Sequence, residues 1–384
     1  MTSNIPNPYF LEEHQMLREQ VRRFVEKEIV PNGDEWEREG HVPRALMRKM
    51  GELGFLGLTH DTDYGGSGLD VRAATVLAEE LGRSTFAGVT ITALVHTNMA
   101  SPHLALAGNA EQKQKYLPDI IQGKTITAVC VTEPAAGSDV AGIRTRAVRD
   151  GDDWIINGSK IFITNGVYGD LYIVAAKTDP NAKGSRGISM FLVEKGTSGF
   201  SVGRSLKKHG WRSSDTAELF FDNVRIPAGN LLGEENKGFY AVMKNFQHER
   251  IMLAAMGVGE AQKALDLTIE NVKQRQAFGG ALFDKDVVRL KLAQAQTQVD
   301  AARNYLYYVS WLDAQGVECI KEVSGLKAWA CEVANQVMYE CVQLHGGMGF
   351  MEESIIERMY RDARVLTIGG GATEVMYGEV AKRL

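Results

Sequence analysis

The stretch TAVCVTEPAAGSDV, residues 127–140, marks the point at which the residue pattern of the chain changes. From Leu11 to about Lys124 apolar residues recur at helical spacing, whereas short runs rich in β-branched and aromatic residues follow the stretch. Its first half, TAVCVTE, is a short β-rich run, and its second half is a loop with proline and glycine. The pattern therefore predicts that a β segment begins here and follows a helical one.

The helical segments carry the amphipathic stripe of helices that pack on a core. Leu17, Val21, Phe24 and Val25 stand at positions i, i+4, i+7 and i+8 of one such helix. Helical periodicity returns after Gly238 and lasts almost to the end of the chain. The long stretches are Phe239 to Val272, Lys285 to Gln315 and Ile320 to Leu344.

Between the helical segments the strands are predicted in six runs separated by turn signals. The turn signals include Asn157-Gly158 and Asn165-Gly166. The runs are TAVCVTE, DWIING, KIFITNG, LYIVAAKT, ISMFLVEK and TAELFFDNVRI. The order of helical, β and helical segments, without internal repeats, predicts an α+β multidomain fold. We expect an N-terminal all-α domain at 1–124, a middle antiparallel β-barrel or sandwich domain at 125–238 and a C-terminal helical domain at 239–384.

Charge and composition exclude several classes of protein. The net charge is -5 and no segment is dense in lysine and arginine, which argues against a nucleic-acid partner. No apolar run approaches the ~20 residues of a membrane-spanning helix, so we expect no membrane insertion. The first residues, MTSNIPNPYF, have neither a signal-peptide core nor the arginines of a transit peptide.

Cysteine and histidine spacing predicts neither disulfides nor a metal site. The four cysteines lack paired metal-ligand spacing, and the eight histidines form no H-E-x-x-H set. We therefore expect free thiols in a reducing compartment. There is also no G-x-G-x-x-G motif after a strand and no Walker sequence. The triple glycine at 369–371 is therefore not predicted to form a phosphate-binding loop.

Two segments of the β region suit a flat cofactor. The loop in CVTEPAAGSDV, residues 130–140, offers hydroxyls and free backbone N–H groups to an acceptor-rich heterocycle or a phosphate. In KIFITNG, residues 160–166, Phe162 and Thr164 are two residues apart and lie on one side of a strand. Each segment alone is equally typical of a turn and an ordinary core strand.

The chain resembles the acyl-CoA dehydrogenase family of FAD enzymes over essentially its whole length. The motifs occur in family order: YGGSG, TEPAAGSD, ITNG, SSDTAELFFDNVRIP, RQAFG, QLHGGMGF, YRDAR and GGGATE. The resemblance implies the acyl-CoA dehydrogenase fold, in which the C-terminal domain is a four-helix bundle. It also implies FAD bound between subunits of a homotetramer.

Cofactor residues follow from the resemblance position by position. Thr132 and Thr164 are expected to donate to the flavin ring, and Phe162 to stack on it. Arg275 is expected to pair with the pyrophosphate of a neighbouring subunit's FAD, and Phe278 to pack beside the adenosine. The full set is Val129, Val131, Thr132, Gly137, Ser138, Phe162, Ile163, Thr164, Arg275, Phe278, Gln343, Leu344, Gly346, Gly347, Ala372, Thr373 and Glu374.

The triple glycine stands where many family members carry their catalytic glutamate, and Gly370 occupies the expected position of that base. Either the protein is inactive, or the carboxylate comes from elsewhere. Glu249 is the candidate, because Phe246, Leu253 and Met256 place it on the apolar stripe of its helix. A buried carboxylate is costly, so its position indicates a function. The alternative is a structural glutamate paired with a distant arginine.

The resemblance favours the catalytic interpretation of Glu249. Long-chain and isovaleryl-CoA dehydrogenases are similar in having a small residue at the usual base position and a glutamate in an ER pair, like Glu249 and Arg250. The triple glycine then leaves room for a base from another element, and the Gly370 N–H remains to bind the thioester carbonyl. The expected substrate residues are Ser138, Tyr240, Gln247, Arg250, Gly370 and Gly371.

The predicted reaction is dehydrogenation of an acyl-CoA to trans-2-enoyl-CoA, with electrons passed to an electron-transferring flavoprotein in fatty-acid β-oxidation. The alternatives are an acyl-CoA oxidase, a dehydrogenase of carrier-bound or isoprenoid thioesters, and a non-catalytic acyl-CoA-binding relative. We expect a bacterial cytoplasmic protein, or a mitochondrial matrix protein whose transit peptide has been removed.

Overall fold

The computed structural model describes residues 7–182 and 186–384. Helices come first, strands follow, and helices complete the chain, which confirms the predicted fold class. The first helices are α1 (Glu12–Phe24), α2 (Gly33–Glu39), α3 (Arg44–Glu52), α4 (Val71–Gly82), α5 (Ala87–Leu94), α6 (Ser101–Ala107) and α7 (Ala110–Ile121). The later helices are α8 (Gly238–Gln274), α9 (Asp286–Ala314), α10 (Ile320–His345), α11 (Ile355–Ala363) and α12 (Thr373–Ala381). A π-helix, Val95–Ala100, joins α5 to α6.

In the order of the chain, eight strands that form one sheet separate these two sets of helices. They are β1 (Thr127–Cys130), β2 (Arg146–Asp150), β3 (Asp153–Thr164), β4 (Leu171–Lys177), β5 (Ile188–Glu194), β6 (Phe200–Ser205), β7 (Thr216–Pro227) and β8 (Leu231–Leu232). The strand order is β6-β7-β3-β2-β4-β5-β8, and β1 pairs with β4. Most neighbours are antiparallel, as predicted, but β4 runs parallel to both β1 and β2.

Strand β4 pairs with β1, β2 and β5 and is buried on both faces. Leu171, Ile173 and Ala175 join a core cluster that includes helical residues of α6 and α7. Tyr172 and Val174 point to the other face and pack in a second cluster with residues of β3, β5 and β7. Alternate side chains leave a strand on opposite faces, so a continuous apolar run is what a strand covered on both sides requires.

The turn predicted at Asn157-Gly158 is wrong, because β3 continues through both residues. A bulge between Ile156 and Gly158 shifts the register against β7 at this point. Gly158 has a φ of +148°, and a Cβ at this position would lie 2.5 Å from the Thr145 Oγ1. Glycine is therefore needed for close approach within a strand. The turn predicted at Asn165-Gly166 is confirmed.

The chain divides into two compact units. One combines the segment that ends at Gly33 with Leu69–Thr90 and Arg250–Leu384. The other combines Asp34–Gly68 with Ile91–Glu249 and contains the sheet. These units group the helices differently from the three domains predicted from sequence, whose boundaries at residues 124 and 238 stay a prediction.

A buried ion network ties α1, α4 and α9 together in the first unit. Glu79 accepts from Arg18 at 2.9 Å, from Arg303 at 3.0 Å and from the Tyr307 hydroxyl at 2.7 Å. Burial alone would raise the pKa of Glu79, but the charges of Arg18 and Arg303 outweigh it and lower the pKa to about 2. The paired carboxylate thus stays ionised inside the helical unit.

Neither a membrane-crossing helix nor a metal cluster is found in the described ranges. No helix there combines the length and apolarity needed to cross a bilayer. No three or more side chains of histidine, cysteine, aspartate or glutamate are grouped to hold a metal ion in residues 7–182 and 186–384. The four cysteines, Cys130, Cys319, Cys331 and Cys341, are buried free thiols.

Glu260, on α8, is a buried carboxyl with a different environment. Within the described part of the chain neither of its carboxyl oxygens has a hydrogen-bond partner. Burial raises its pKa well above the usual range, and the nearby charge of Asp362 raises it further. The carboxyl is therefore held in its protonated form in the folded protein.

We predict that Glu260→Gln removes a pH-dependent loss of stability. Because the folded-state pKa lies above the unfolded one, the stability that the wild type gains from this proton is present at low pH and is lost as pH rises. Relative to wild type, Glu260→Gln should gain more than ~1 kcal/mol between pH 5 and pH 9. Urea unfolding at several pH values measures this. The exposed variant Glu235→Gln is the control, and parallel curves for Glu260→Gln and wild type would contradict the prediction.

Candidate active site and cofactor-binding surface

The triple-glycine turn is shaped by a contact with α8. Gly370 has a φ of +63°, which favours glycine, and a Cβ built on it would lie 2.2 Å from the Leu253 Cδ1. The space that a side chain at position 370 would need is thus taken by leucine. Gly370 itself is exposed, and its N–H has no acceptor among the residues that the structure describes. The turn presents a backbone donor where no side chain fits.

Helix α10 holds this turn in place through two polar side chains. The buried Lys327 ammonium donates to the Gly371 carbonyl. Burial lowers the pKa of Lys327, and the nearby charge of Arg250 lowers it further. On the other side of the turn, the Thr373 hydroxyl donates to the Glu332 carboxylate at 3.0 Å. Sequence reasoning missed Lys327, although a lysine among the apolar residues of α10 gives the same signal that identified Glu249.

Glu249 is buried, as its helical spacing predicts, with 7% of its surface exposed. Leu253 and Met256, on the same stripe of α8, are buried too. The Asn245 side-chain amide, one turn earlier on the helix, donates to the Glu249 Oε1 at 3.1 Å. A buried carboxylate with an amide donor is a group that could accept a proton from a ligand. Its role as the base stays a prediction.

The other expected substrate residues differ widely in exposure. Tyr240 is exposed at the first turn of α8, Gln247 is half-buried, and Arg250 is buried. The Gln247 Oε1 is buried and has no hydrogen-bond partner within the described part of the chain. Ser138 is exposed on its loop. The substrate contacts of these four residues therefore stay predictions. Because Arg250 is buried, its predicted contact with a phosphate of CoA at the surface is the least direct of the four.

The loop after β1 is fixed by a buried ion pair that sequence reasoning missed. Lys160 donates to the Glu133 Oε1 at 2.7 Å and to the Val131 carbonyl at 2.9 Å. The Glu133 carboxylate also accepts from the backbone N–H groups of Arg144 and Thr145. Burial alone would raise the pKa of Glu133, but the Lys160 charge and these donors lower it. The two residues are far apart in sequence, and no periodicity connects them.

The ion pair leaves the tip of this loop open. Gly137 and Ser138 are exposed, Val129 and Thr132 are half-buried, and Val131 is buried. The Thr132 carbonyl accepts from the Ile161 N–H at 3.0 Å, so the loop is attached to β3. Strand and loop thus form one surface in the second unit.

Phe162 stands on that strand in an unusual conformation. Its φ is +60°, and a register shift between Lys160 and Ile163 accompanies it. The side chain is 65% exposed, whereas Ile163 is buried and Thr164 half-buried. A bulky residue with positive φ is rare, and such strain is found at functional sites. An exposed ring beside hydroxyl groups fits a flat, polar aromatic ligand.

A second group of expected cofactor residues lies together in the first unit. The Arg275 guanidinium donates to the His345 carbonyl at 2.9 Å, next to Gly346. Phe278 has a φ of +53° and is 90% exposed. The remaining members of this group are Gln343, Gly346 and Gly347, which are exposed, and Leu344, which is half-buried. An almost fully exposed phenylalanine indicates a surface that binds a ligand or another chain.

The residues after the triple glycine line a cavity. Ala372 and Thr373 are half-buried and Glu374 is exposed. Together with Glu332 and Arg364 they border a space of about 370 Å³. The cavity contains both signs of charge and a hydroxyl, which suits a polar ligand.

Comparison with protein families identifies the whole chain. Family models match three consecutive segments: the acyl-CoA dehydrogenase N-terminal domain at residues 11–124, the middle domain at 128–224 and the C-terminal domain at 236–384. The chain belongs to the acyl-CoA dehydrogenase family. The protein is accordingly an oxidoreductase. The family resemblance inferred from its sequence motifs is confirmed.

Individual relatives agree with this assignment. The long-chain specific acyl-CoA dehydrogenase of Mus musculus mitochondria is 43% identical over 376 residues, which is 98% of this chain and 87% of the relative. A crystal structure of an acyl-CoA dehydrogenase from Geobacillus kaustophilus is 44% identical, covers 98% of this chain and 99% of its own, and has a TM-score of 0.94. A glutaryl-CoA dehydrogenase from Mycobacterium smegmatis in complex with FADH2 is 29% identical, with a TM-score of 0.92 and coverages of 98% and 95%.

We predict that Gly370→Ala lowers the free energy of unfolding of the protein by about 2–4 kcal/mol. The left-handed conformation and the collision with Leu253 both act against any side chain. Thermal unfolding measures the loss. Gly378→Ala, in α12 with open space around the added carbon, is the control and should stabilise slightly.

A double variant tests the cause of this loss. In the Leu253→Ala background the collision is absent, so Gly370→Ala should cost clearly less than it does in wild type. Equal costs in the two backgrounds would show that Leu253 does not shape the turn.

Proposed function

We propose that the enzyme oxidises an acyl-CoA thioester to trans-2-enoyl-CoA, with Glu249 as the base that removes the α proton. The observation that carries the proposal is the burial of Glu249 on the apolar stripe of α8. The helix spacing supports it as well: Leu253, whose side chain excludes a Cβ at Gly370, follows Glu249 by one turn. A base on α8 is thus compatible with a glycine at the usual base position.

The reaction requires a group that takes the proton and a group that stabilises the charge left behind. An ionised Glu249 carboxylate accepts the proton from the α carbon. Negative charge then develops on the thioester oxygen, where a backbone N–H acts as an oxyanion donor. The Gly370 N–H, which has no acceptor in the described ranges, is the donor we propose. We propose Gly371, Ser138, Tyr240 and Gln247 as further substrate contacts, and Arg250 as a contact near the phosphorylated half of CoA.

FAD is the cofactor that we propose, in line with the family and with the FADH2 complex of the relative from Mycobacterium smegmatis. When bound, it accepts the hydride from the β carbon of the substrate. Phe162 would stack on the flavin ring, and the hydroxyls of Thr132 and Thr164 would donate to it. Arg275 and Phe278 would bind the FAD of a neighbouring subunit. The remaining contacts proposed are Val129, Val131, Gly137, Ser138, Ile163, Gln343, Leu344, Gly346, Gly347, Ala372, Thr373 and Glu374.

The exposure of the Phe278 ring supports a homotetramer in which one subunit covers the cofactor of another. We propose an electron-transferring flavoprotein as electron acceptor and fatty-acid β-oxidation as the process. The bacterial cytoplasm is the location proposed, or the mitochondrial matrix for a eukaryotic source. An acyl-CoA oxidase, or a dehydrogenase of carrier-bound or isoprenoid thioesters, remains the enzymatic alternative. The oxidase is distinguished by rapid reoxidation of the reduced enzyme by oxygen.

We predict that Glu249→Gln lowers the rate of anaerobic flavin reduction by acyl-CoA at least ~100-fold, because general base catalysis is worth about 10²–10⁴ in rate. The measurement follows the flavin absorbance after mixing with straight-chain acyl-CoAs of increasing length. FAD content should be unchanged in the variant. The same titration ranks chain lengths for the wild type.

The control for this experiment is Glu260→Gln, which also changes a buried glutamate of α8 but lies outside the proposed site. It should reduce flavin at the wild-type rate. Normal reduction by Glu249→Gln would overturn the assignment of the base. Absence of reduction in the wild type with every thioester would overturn the proposed reaction.

A further inference from the structure

Asn245 connects the proposed base to a separate helix. Its side chain is fully buried, and its Nδ2 donates to the Met99 carbonyl at 2.9 Å and to the Glu249 Oε1 at 3.1 Å. A side-chain amide has two N–H donors, so these two bonds account for both of them. The amide group therefore links the carboxylate to the backbone at residue 99.

Met99 lies in the π-helix Val95–Ala100, immediately before α6. Single turns of π-helix are rare in proteins overall, and those that occur are often found at functional sites. The wide turn changes which carbonyls have partners within the helix, and here the Met99 carbonyl accepts from a side chain of α8. The π-helix thus supplies a backbone acceptor for the amide.

The orientation of the Asn245 amide has a cost. Its Oδ1 is buried and accepts no hydrogen bond from the described residues. Buried polar atoms are normally paired, so each exception calls for an explanation. The two donor bonds, to Met99 and to Glu249, explain why the amide takes this orientation in spite of the unpaired oxygen.

We propose that Asn245 is a positioning residue, which fixes the orientation of the Glu249 carboxylate and favours its ionised form. The inference rests on the proposed role of Glu249 as the base. A hydrogen bond to a carboxylate stabilises the charged form against the effect of burial. Because the amide is held by the π-helix, the carboxylate oxygen is held as well, and less rotamer freedom remains to be lost when a substrate binds.

The titratable groups around this contact allow the carboxylate to be observed separately. On α8 itself, His248 and Arg250 flank Glu249 in sequence and are unchanged in the variants described below. On the segment that carries Met99 are His96 and His103, and burial lowers the pKa of each to about 4. Both histidines are therefore neutral above about pH 5. A difference in pH dependence between wild type and Asn245 variants then reports on Glu249.

The first test measures the stability of the FAD-loaded protein between pH 5 and 9 in a double-mutant cycle. Asn245→Leu has a similar shape without donors, so it should raise the folded-state pKa of Glu249. A carboxyl with a raised folded-state pKa loses stability as pH rises. The unfolding equilibrium constant of Asn245→Leu relative to wild type should therefore grow about tenfold across this range, the equivalent of a shift of about one pKa unit. In the Glu249→Gln background the same substitution should have an effect that is independent of pH.

Asn230→Ala is the matched control for this cycle. It removes another asparagine amide of the same unit, which donates to the Leu192 carbonyl at 2.8 Å. Its destabilisation should be the same at every pH. This control separates the loss of a hydrogen bond from the loss of a donor to a carboxylate.

The second test is the pH profile of anaerobic flavin reduction. Asn245→Leu should shift the apparent pKa of the base upward by about one unit, with a roughly tenfold lower rate at pH 6 and a smaller deficit at pH 9. Asn245→Asp places a like charge beside the base and should shift the profile further in the same direction. A purely structural role for Asn245 would lower the rate by one factor at all pH values.

The outcomes separate this inference from the proposed function. An Asn245→Leu effect that is independent of pH, together with an inactive Glu249→Gln enzyme, would overturn the inference about Asn245 alone. A Glu249→Gln enzyme that reduces flavin normally would overturn the role of Glu249 and this inference with it. A pH-dependent effect in the wild-type background only, with a shifted rate profile, would support both.

Discussion

A carboxylate taken out of water needs hydrogen-bond donors, opposite charge or a proton, and this constraint governs the buried glutamates of both units. Glu79 is paired with two arginines, which hold the helices of the first unit together. Glu133 is paired with a lysine and accepts from two backbone N–H groups, which fixes the loop after β1. Glu260 keeps its proton instead. Each arrangement has a structural consequence that extends beyond the side chain itself.

Glu249 accepts a hydrogen bond from the neutral side-chain amide of Asn245. A hydrogen bond from a neutral donor stabilises a carboxylate less than a hydrogen bond from an arginine does. Strong ion pairing would suit a structural glutamate, because it lowers the affinity for protons. Glu79 is thus a buried carboxylate that stabilises the fold, and we propose that Glu249 is one that serves acid-base chemistry.

Much of the fold could be predicted because it is encoded in local periodicity. The burial of Glu249 followed from its apolar neighbours one and two turns away, and the order of helical and β segments followed from the change of period near residue 127. The continuation of β3 through Asn157-Gly158 was not predicted, because a bulge against β7 and a hairpin turn use the same residues. The parallel pairing of β1 with β4 was not predicted either, since periodicity does not encode which strands are neighbours.

The candidate site was predictable only at positions that belong to a sequence motif or to the apolar stripe of a helix. Motif positions gave Phe162 and Phe278, but their positive φ values and exposure are properties of the folded chain. Glu133 and Lys160 form their ion pair across a loop, and Lys327 contacts the glycine turn from another helix, so neither contact has a local signature. The triple glycine is the clearest case: the sequence indicated empty space, and Leu253 occupies it.

The most direct measurement is a crystal structure of the FAD-loaded enzyme with an unreactive acyl-CoA analogue. The analogue keeps the thioester but has a sulfur atom in place of the β carbon, so it has no hydride to give at that position. We expect a Glu249 carboxylate oxygen within about 3–3.5 Å of the α carbon. The thioester oxygen should accept from the Gly370 N–H at about 2.7–3.1 Å. A different carboxylate beside the α carbon, or a thioester oxygen remote from Gly370, would contradict the assignment of the base and of the donor.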